Sequence, residues 1–471
     1  MNFDDYVSQD MLGLAGLIKS RAVSAREVLD AALKRLDEVN PRINCIATDL
    51  RERAKLDAKN VPSGSFEGVP YLLKDHGALM KGVPTSLGSP VFNKRVQEAD
   101  SAIVSSMREA GLVIFGKTTL PELSAGYETA SPMFGTTHNP WDLERSASGS
   151  SGGSVAAVAA GVVPGAHASD GSGSIRVPAS WTGLFGFKPS RGRNSYAPVR
   201  EGGFGNVVQH AVTRSVRDSA ALLDATCGPR PGDPYALSRP ETSFLEETRR
   251  DPGQLKIGFS TGGYLTDHIL SEIRAAVLEA AHLCETLGHT VEETVLPKGY
   301  PADEARVLVS AAISSSLRAE AERTGIELDD RVLSTMGLWL LERGSQITAH
   351  QYLQALAGMQ PYLIAVAEHH AKYDAILTAT SGVLPPKIGE YHSFLPDDPA
   401  GFTDFNNRIQ PNTPPDNLGG HAGMSVPLAW SKSGLPIGIH FSSKMGRDDV
   451  LFRLAGQLES ARPWFNRRPE L

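Results

Sequence analysis

Apolar positions along this chain follow two alternating rhythms. One is helical: "SAREVLDAALKRLDEV" opens on Ser24, a residue type suited to an N-cap, and then repeats apolar side chains every three or four positions. The other is strand-like: "GVPYLLKD", "GLVIFGKT", "VVPGAHASD", "LKIGFS", "YDAILTAT" and "LPIGIHFSS" are short apolar runs set between turn residues. Helix-like sequence separates these runs. The pattern therefore predicts an α/β fold with a buried, mixed but largely parallel central β-sheet covered by helices on both faces. Residues 1–65 read as N-terminal helices, 66–220 as the α/β core, and 299–370 as a helical excursion before the strand pattern returns. Residues 382–417, rich in Pro, Asp and Asn, are predicted to form an irregular binding loop or lid at the active site. No repeat of fixed period interrupts this order, and 1–471 reads as one large domain.

Composition changes the picture only by exclusion. Hydrophobic residues at 41% and charged residues at 21% suit a globular chain with a sizeable core. A net charge of -7 gives no electrostatic basis for binding nucleic acid or an anionic membrane. No apolar run reaches membrane-spanning length, and "MNFDDYVSQDM" lacks a basic-then-apolar leader, so a cytoplasmic protein is expected. Cys45, Cys227 and Cys284 are far apart and imply neither a disulfide framework nor a zinc site.

Candidate chemistry concentrates in two Gly/Ser turns. The first, "GSSGGS" (149–154), precedes an alanine-rich helical segment. It matches Gly-x-Ser-x-Gly in form, but the hydrophobic strand that a nucleophile elbow needs is replaced by the polar "NPWDLERSAS". It lacks the Gly-Lys-Ser/Thr ending of a phosphate loop, and no lysine in the chain has a serine three residues before it. The second turn, "DGSGSIRVP" (170–178), follows a strand-like run and lacks the third glycine of a dinucleotide fingerprint. Ser174 lies 24 residues after Ser150, enough for one helix and one strand between two loops at the same sheet end. Successive backbone N–H groups of Gly171, Ser172, Gly173 and Ser174 can form a nest for a developing oxyanion. Lys74 closes an apolar strand, where desolvation favours its neutral, basic form. His76, His138 and His167 have no partner pattern that would make a Ser-His-Asp triad.

With these residues in place the chain resembles the amidase signature family. "PYLLKDHG", "GSSGGSVAAVAAG", "ASDGSGSIRVPAS" and "GLFGFKPSRGR" match its core motifs in order and spacing, and "GKTTLPELS", "FGTTHNPWD", "GMSVPLAW" and "GLPIGIHFSS" fit the flanks. The details are most similar to the branch that hydrolyses 6-aminohexanoate cyclic dimer and other nylon-type oligoamides. Urethanases, aryl acylamidases and the glutamine-hydrolysing transamidosome A subunit are neighbouring branches. The resemblance implies a Ser-cisSer-Lys triad of Ser174 as nucleophile, Ser150 as relay after a cis peptide, and Lys74 as base. It implies an acyl-enzyme, an oxyanion hole at 171–174, support from Ser151, Asp170 and Arg176, and no metal or organic cofactor. The substrate is then a small amide or carbamate, with no nucleic acid or membrane partner, and the protein is a monomer or homodimer. Tyr127, Phe134, Trp181, Trp339 and His421 are candidates for the substrate pocket. Two departures from the family pattern stand out: Ser172 replaces a glycine common in the nucleophile loop, and Ser148-Gly149 replaces a Gly-Gly pair.

Overall fold

The first helical rhythm becomes α1, Ala25–Ile43, with Ser24 and Glu27 forming a reciprocal capping box. Its inward stripe (Val28, Leu29, Ala32, Leu33, Leu36, Val39, Ile43) is buried, which is why the segment docks rather than frays. The computed structural model describes residues 1–199 and 203–471. In it α1 belongs to a core that also takes in β2, Pro70–Lys74, and β3, Val113–Thr118. With β1, Ile46–Asp49, these strands form a three-stranded sheet in the order β1-β3-β2, β2 and β3 running parallel.

The larger sheet has eight strands: β4 Gly165–Asp170, β5 Phe185–Lys188, β6 Val208–Thr213, β7 Lys256–Phe259, β8 Thr290–Glu293, β9 Ala375–Ala379, β10 Ala422–Trp430 and β11 Pro436–Ser443. Their order is β8-β7-β9-β11-β10-β5-β6-β4. All six apolar runs in the sequence are strands. The sheet is mixed, as expected, but it is not largely parallel. Among the described residues only β7–β8 and β7–β9 pair in parallel, and the other five pairings are antiparallel. The cause is burial: most of these strands are covered along their whole length, so an antiparallel strand shows the same unbroken apolar run that a parallel one does.

Helices complete the frame. α2, Gly152–Ala159, leads into β4, and α3, Arg176–Thr182, leads from β4 to β5. Residues 299–370 are helical as patterned, with α4 Ala302–Thr324, α5 Thr335–Ser345 and α6 Gln360–His370. The region 382–417 differs from its expectation. Much of it is helical, in α7 Pro399–Ile409 and α8 Pro414–Gly419. Its prolines do not break these helices because each helix has Pro in its first turn, where no N–H is required. No helix among the described residues is long and apolar enough to cross a membrane.

Candidate active site

Lys74 is the last residue of β2, and its side chain is fully buried. Its Nζ donates to Ser150 Oγ at 2.7 Å and Ser151 Oγ at 3.0 Å, and lies 3.5 Å from the Ser169 carbonyl. Among the described residues no carboxylate touches it. Desolvation pulls its pKa down to about 7, with the charge of Asp170 opposing. The neighbouring strand supplies a contrast in Lys117, equally buried at the end of β3. Lys117 Nζ pairs with Asp75 Oδ1 at 3.0 Å, and that carboxylate opposes the downward pull of burial.

Ser150 follows a cis peptide bond from Gly149 and is nearly buried, and Ser151 stands at the start of α2. The glycines let α2 approach the end of β3: a Cβ on Gly153 would lie 2.5 Å from the Thr119 backbone nitrogen. Ser174 sits in the turn after β4, half-buried, and makes no side-chain hydrogen bond among the described residues. Ser150 and Ser174 line the same cavity of about 430 Å³. No hydrogen bond joins them directly.

Asp170 organises the turn that follows β4 and carries Ser174. Its carboxylate accepts from the N–H groups of Gly173 at 2.7 Å and Ile175 at 3.0 Å, and from Arg176 Nε at 3.1 Å and Nη2 at 3.0 Å. Burial alone would raise this carboxyl; Arg176 outweighs it and holds the pKa at about 2. The expected four-amide nest is thereby corrected. The Gly173 N–H is committed to Asp170, whereas those of Gly171, Ser172 and Ser174 have no partner among the described residues. Gly173 adopts φ 144°, and a Cβ there would meet Thr413 Oγ1 at 2.5 Å, so the glycine is obligatory. Ser172 makes a contact that a glycine could not. Its hydroxyl lies 3.2 Å from Tyr127 Oη, which itself donates to Gln410 Oε1, so Ser172 is the donor to Tyr127.

Sequence reasoning did not find the clamp from α8. Thr413 Oγ1 donates to the Ser172 carbonyl at 2.6 Å, and Asp416 accepts from Arg176 Nη1 at 2.8 Å. Asn417 Nδ2 donates to both the carbonyl and the carboxylate of Asp170, while its Oδ1 accepts from Arg176. The available signal was "NTPPDN", a polar run that turns out fully buried.

Of the pocket candidates, Tyr127 and Trp339 line the cavity. Phe134 does not: it sits in the turn of the small hairpin 130–136, where its carbonyl accepts from Asn44 Nδ2. Trp181 lies two helical turns beyond Ser174, is 1% exposed, and donates to the Val383 carbonyl behind the wall. His421 is not on the cavity wall: it immediately precedes β10, stacks on His370 and lies 3.9 Å from Asp416 Oδ1. Cavity walls missed in the sequence are Tyr300 from the start of the helical excursion and Tyr391, Phe402 and Asn406 from 382–417. His76 borders the cavity 3.3 Å from Ser169 Oγ. Burial and Lys74 push its pKa to about 3. His167 is held between the Lys74 backbone N–H and Gln209, and His138 against the Leu143 carbonyl, so no histidine addresses Ser174.

A buried amine in contact with a serine hydroxyl, a second serine on the same cavity wall and three free amides beside it can support acyl transfer. Comparison with known proteins agrees with that chemistry. Residues 27–452 match the amidase family. The chain is 34% identical to the 6-aminohexanoate-cyclic-dimer hydrolase of Paenarthrobacter ureafaciens, over 98% of this chain and 97% of that one. The solved structure of 6-aminohexanoate cyclic dimer hydrolase complexed with substrate superposes with a TM-score of 0.94 at 32% identity, covering 98% of this chain and 99% of that one. A bacterial aryl acylamidase gives a TM-score of 0.86 at 25% identity, over 97% and 98% of the two chains.

Proposed function

From the premise that the chain belongs to the amidase family and hydrolyses amide C–N bonds, we propose that it cleaves small non-peptide or oligomeric amides of the 6-aminohexanoate type through an acyl-enzyme on Ser174. The observation that carries this reading is the 2.7 Å contact from Lys74 Nζ to Ser150 Oγ in a site that holds the lysine near neutrality. Ser174 Oγ attacks the substrate carbonyl carbon, passing its proton to Ser150 as Ser150 passes its own to Lys74. The free N–H groups of Gly171, Ser172 and Ser174 receive the oxyanion. Collapse breaks the C–N bond, and the proton returns from Lys74 through Ser150 to the leaving nitrogen. Water then attacks the Ser174 ester, with the same relay as base, and releases the acid. Ser151, which also meets Lys74 and the Ser169 carbonyl, orients the amine. The half-apolar cavity, with Tyr127, Trp339, Tyr391 and Phe402 on its walls, suits an extended aliphatic amide, and the single chain works as a monomer or homodimer.

The test is hydrolysis by the purified chain of 6-aminohexanoate cyclic dimer, an anilide, a p-nitrophenyl carbamate and glutamine, each beside Ser174→Ala. Serine-dependent turnover of the cyclic dimer supports the proposal. Turnover of the anilide or the carbamate alone moves the substrate to aryl acylamides or urethanes. Glutamine turnover alone moves it to a partner-dependent transamidase.

A further inference from the structure

Behind the nucleophile turn, on the side away from the cavity, three side chains from separate elements converge. Asp416 comes from α8, His370 from the end of α6, and His421 immediately precedes β10. All three are buried, and one donor atom from each lies within 4.8 Å of the others. His370 Nε2 is 3.8 Å and His421 Nδ1 is 3.9 Å from Asp416 Oδ1, too long for hydrogen bonds. Asp416 Oδ1 and His421 Nδ1 have no hydrogen-bond partner. Two orphaned polar atoms facing each other in a buried site require an explanation.

The tautomers sharpen the point. His370 Nδ1 lies 3.0 Å from the Val366 carbonyl and so carries the proton, which leaves Nε2 an acceptor whose lone pair now takes the Ser442 hydroxyl at 3.0 Å. The other carboxylate oxygen, Asp416 Oδ2, is already used by Arg176 at 2.8 Å and His440 at 3.1 Å, so Oδ1 is the free ligand atom. Arg176 is one cation shared by two carboxylates, Asp170 and Asp416.

We propose that His370 Nε2, His421 Nδ1 and Asp416 Oδ1 form a structural site for a borderline divalent cation of the zinc class. Two imidazoles and one carboxylate are the donor set such ions take. Tetrahedral bonds of about 2.1 Å put ligands roughly 3.4 Å apart, so closure asks the two histidine nitrogens, now 3.8 and 3.9 Å from Asp416 Oδ1, to move in by a few tenths of an ångström, and the two histidines, within 4.8 Å of each other, to swing together. The Ser442 hydroxyl, 3.0 Å from His370 Nε2, gives up its hydrogen bond on binding and is available as a fourth donor. The ion sits outside the reaction path. It holds Asp416, and through Asp416 the Arg176 that braces the nucleophile turn. Such a site differs from the metal-free expectation drawn from the family resemblance, and it does not depend on the substrate proposed above.

The experiment uses the full chain stripped with a chelator, desalted, and titrated with Zn²⁺, with bound metal read by mass spectrometry and Tm by calorimetry. The expected result is about one tightly held ion per chain and a rise in Tm, with affinity falling by about tenfold or more in His421→Ala and His370→Ala and unchanged in the exposed control His282→Ala. Co²⁺ in place of Zn²⁺ should give visible ligand-field bands that His421→Ala lacks. Should His421→Ala fold poorly, the Zn²⁺ titration and Co²⁺ spectrum of the parent chain decide alone. No uptake and no shift in Tm, or uptake that persists in His421→Ala, overturns the proposal. A bridging water then satisfies the two orphaned atoms.

Discussion

The floor and the wall of the cavity are built on different principles. The floor comes from strand ends and turns between Lys74 and Arg176, where Lys74, Asp170 and Arg176 are held by short polar contacts and the Ser174 hydroxyl and three amides are left open to the cavity. The wall comes from helices and turns of 299–410 and is dominated by Tyr300, Trp339, Tyr391 and Phe402. Its contacts are largely aromatic, as between Trp339 and Phe402 or Tyr391 and Phe402. Hydrogen-bonded turns on buried strands fix atoms to within tenths of an ångström, as proton transfer requires. Apolar packing fixes shape and volume, and so governs which substrate fits. Reaction and selectivity should therefore respond separately to mutation.

The largest effects test the floor. Ser174→Ala should reduce kcat by about 10⁴-fold or more, and Lys74→Ala should come close, measured on any substrate the enzyme turns over. Ser150→Ala should lose about 10²–10⁴-fold in kcat; a near-full rate would show that the lysine reaches Ser174 without it. The pH profile adds a sign. Lys74 must be neutral to accept a proton, so kcat/KM should climb with pH to a limb near the lysine pKa of about 7 and level off above it. A flat profile from pH 6 to 9 would mean another group is the base. Next comes the brace: Asn417→Ala removes the donor to Asp170 and should cost roughly 10–100-fold in kcat with KM little changed. Trp339→Ala belongs to the wall and should instead raise KM by about tenfold and reorder the substrate panel while sparing kcat. Equal losses in kcat from Trp339→Ala and Asn417→Ala would erase the distinction between floor and wall. Tyr127→Phe should be smallest, a few-fold in kcat/KM from the lost hydrogen bond to Gln410.

The same division explains what could be read in the sequence. Lys74, Ser150 and Ser174 could be nominated from the sequence because turn chemistry leaves local marks: Gly where backbone must approach, Ser where a hydroxyl is needed, and a strand that ends on a charged residue; Asp170 was nominated through the family resemblance. Thr413, Asp416 and Asn417 act more than 230 residues away in sequence from the turn they brace. Nothing local distinguishes such a buried polar run from a solvated loop. Trp181 and His421 show the converse limit. An aromatic or histidine near a motif in sequence faces whichever side the helix phase or strand entry dictates, and here both face away from the cavity. Strand direction was equally hidden, since full burial removes the alternation that tells a two-faced strand from a half-exposed one.

Lys74 ends β2 and Lys117 is the last residue but one of the adjacent parallel strand β3, yet of the two only Lys117 has a carboxylate in contact among the described residues. In the proposed reaction this asymmetry acts as a spring. When Lys74 takes its proton, the resulting buried ammonium is opposed only by the more distant charge of Asp170, so the acid formed in the first half-step is strong and drives its proton onto a poor leaving group. An amide nitrogen needs that push; a p-nitrophenolate does not. The two substrate types should part in their solvent isotope effects, with the amide carrying the larger one.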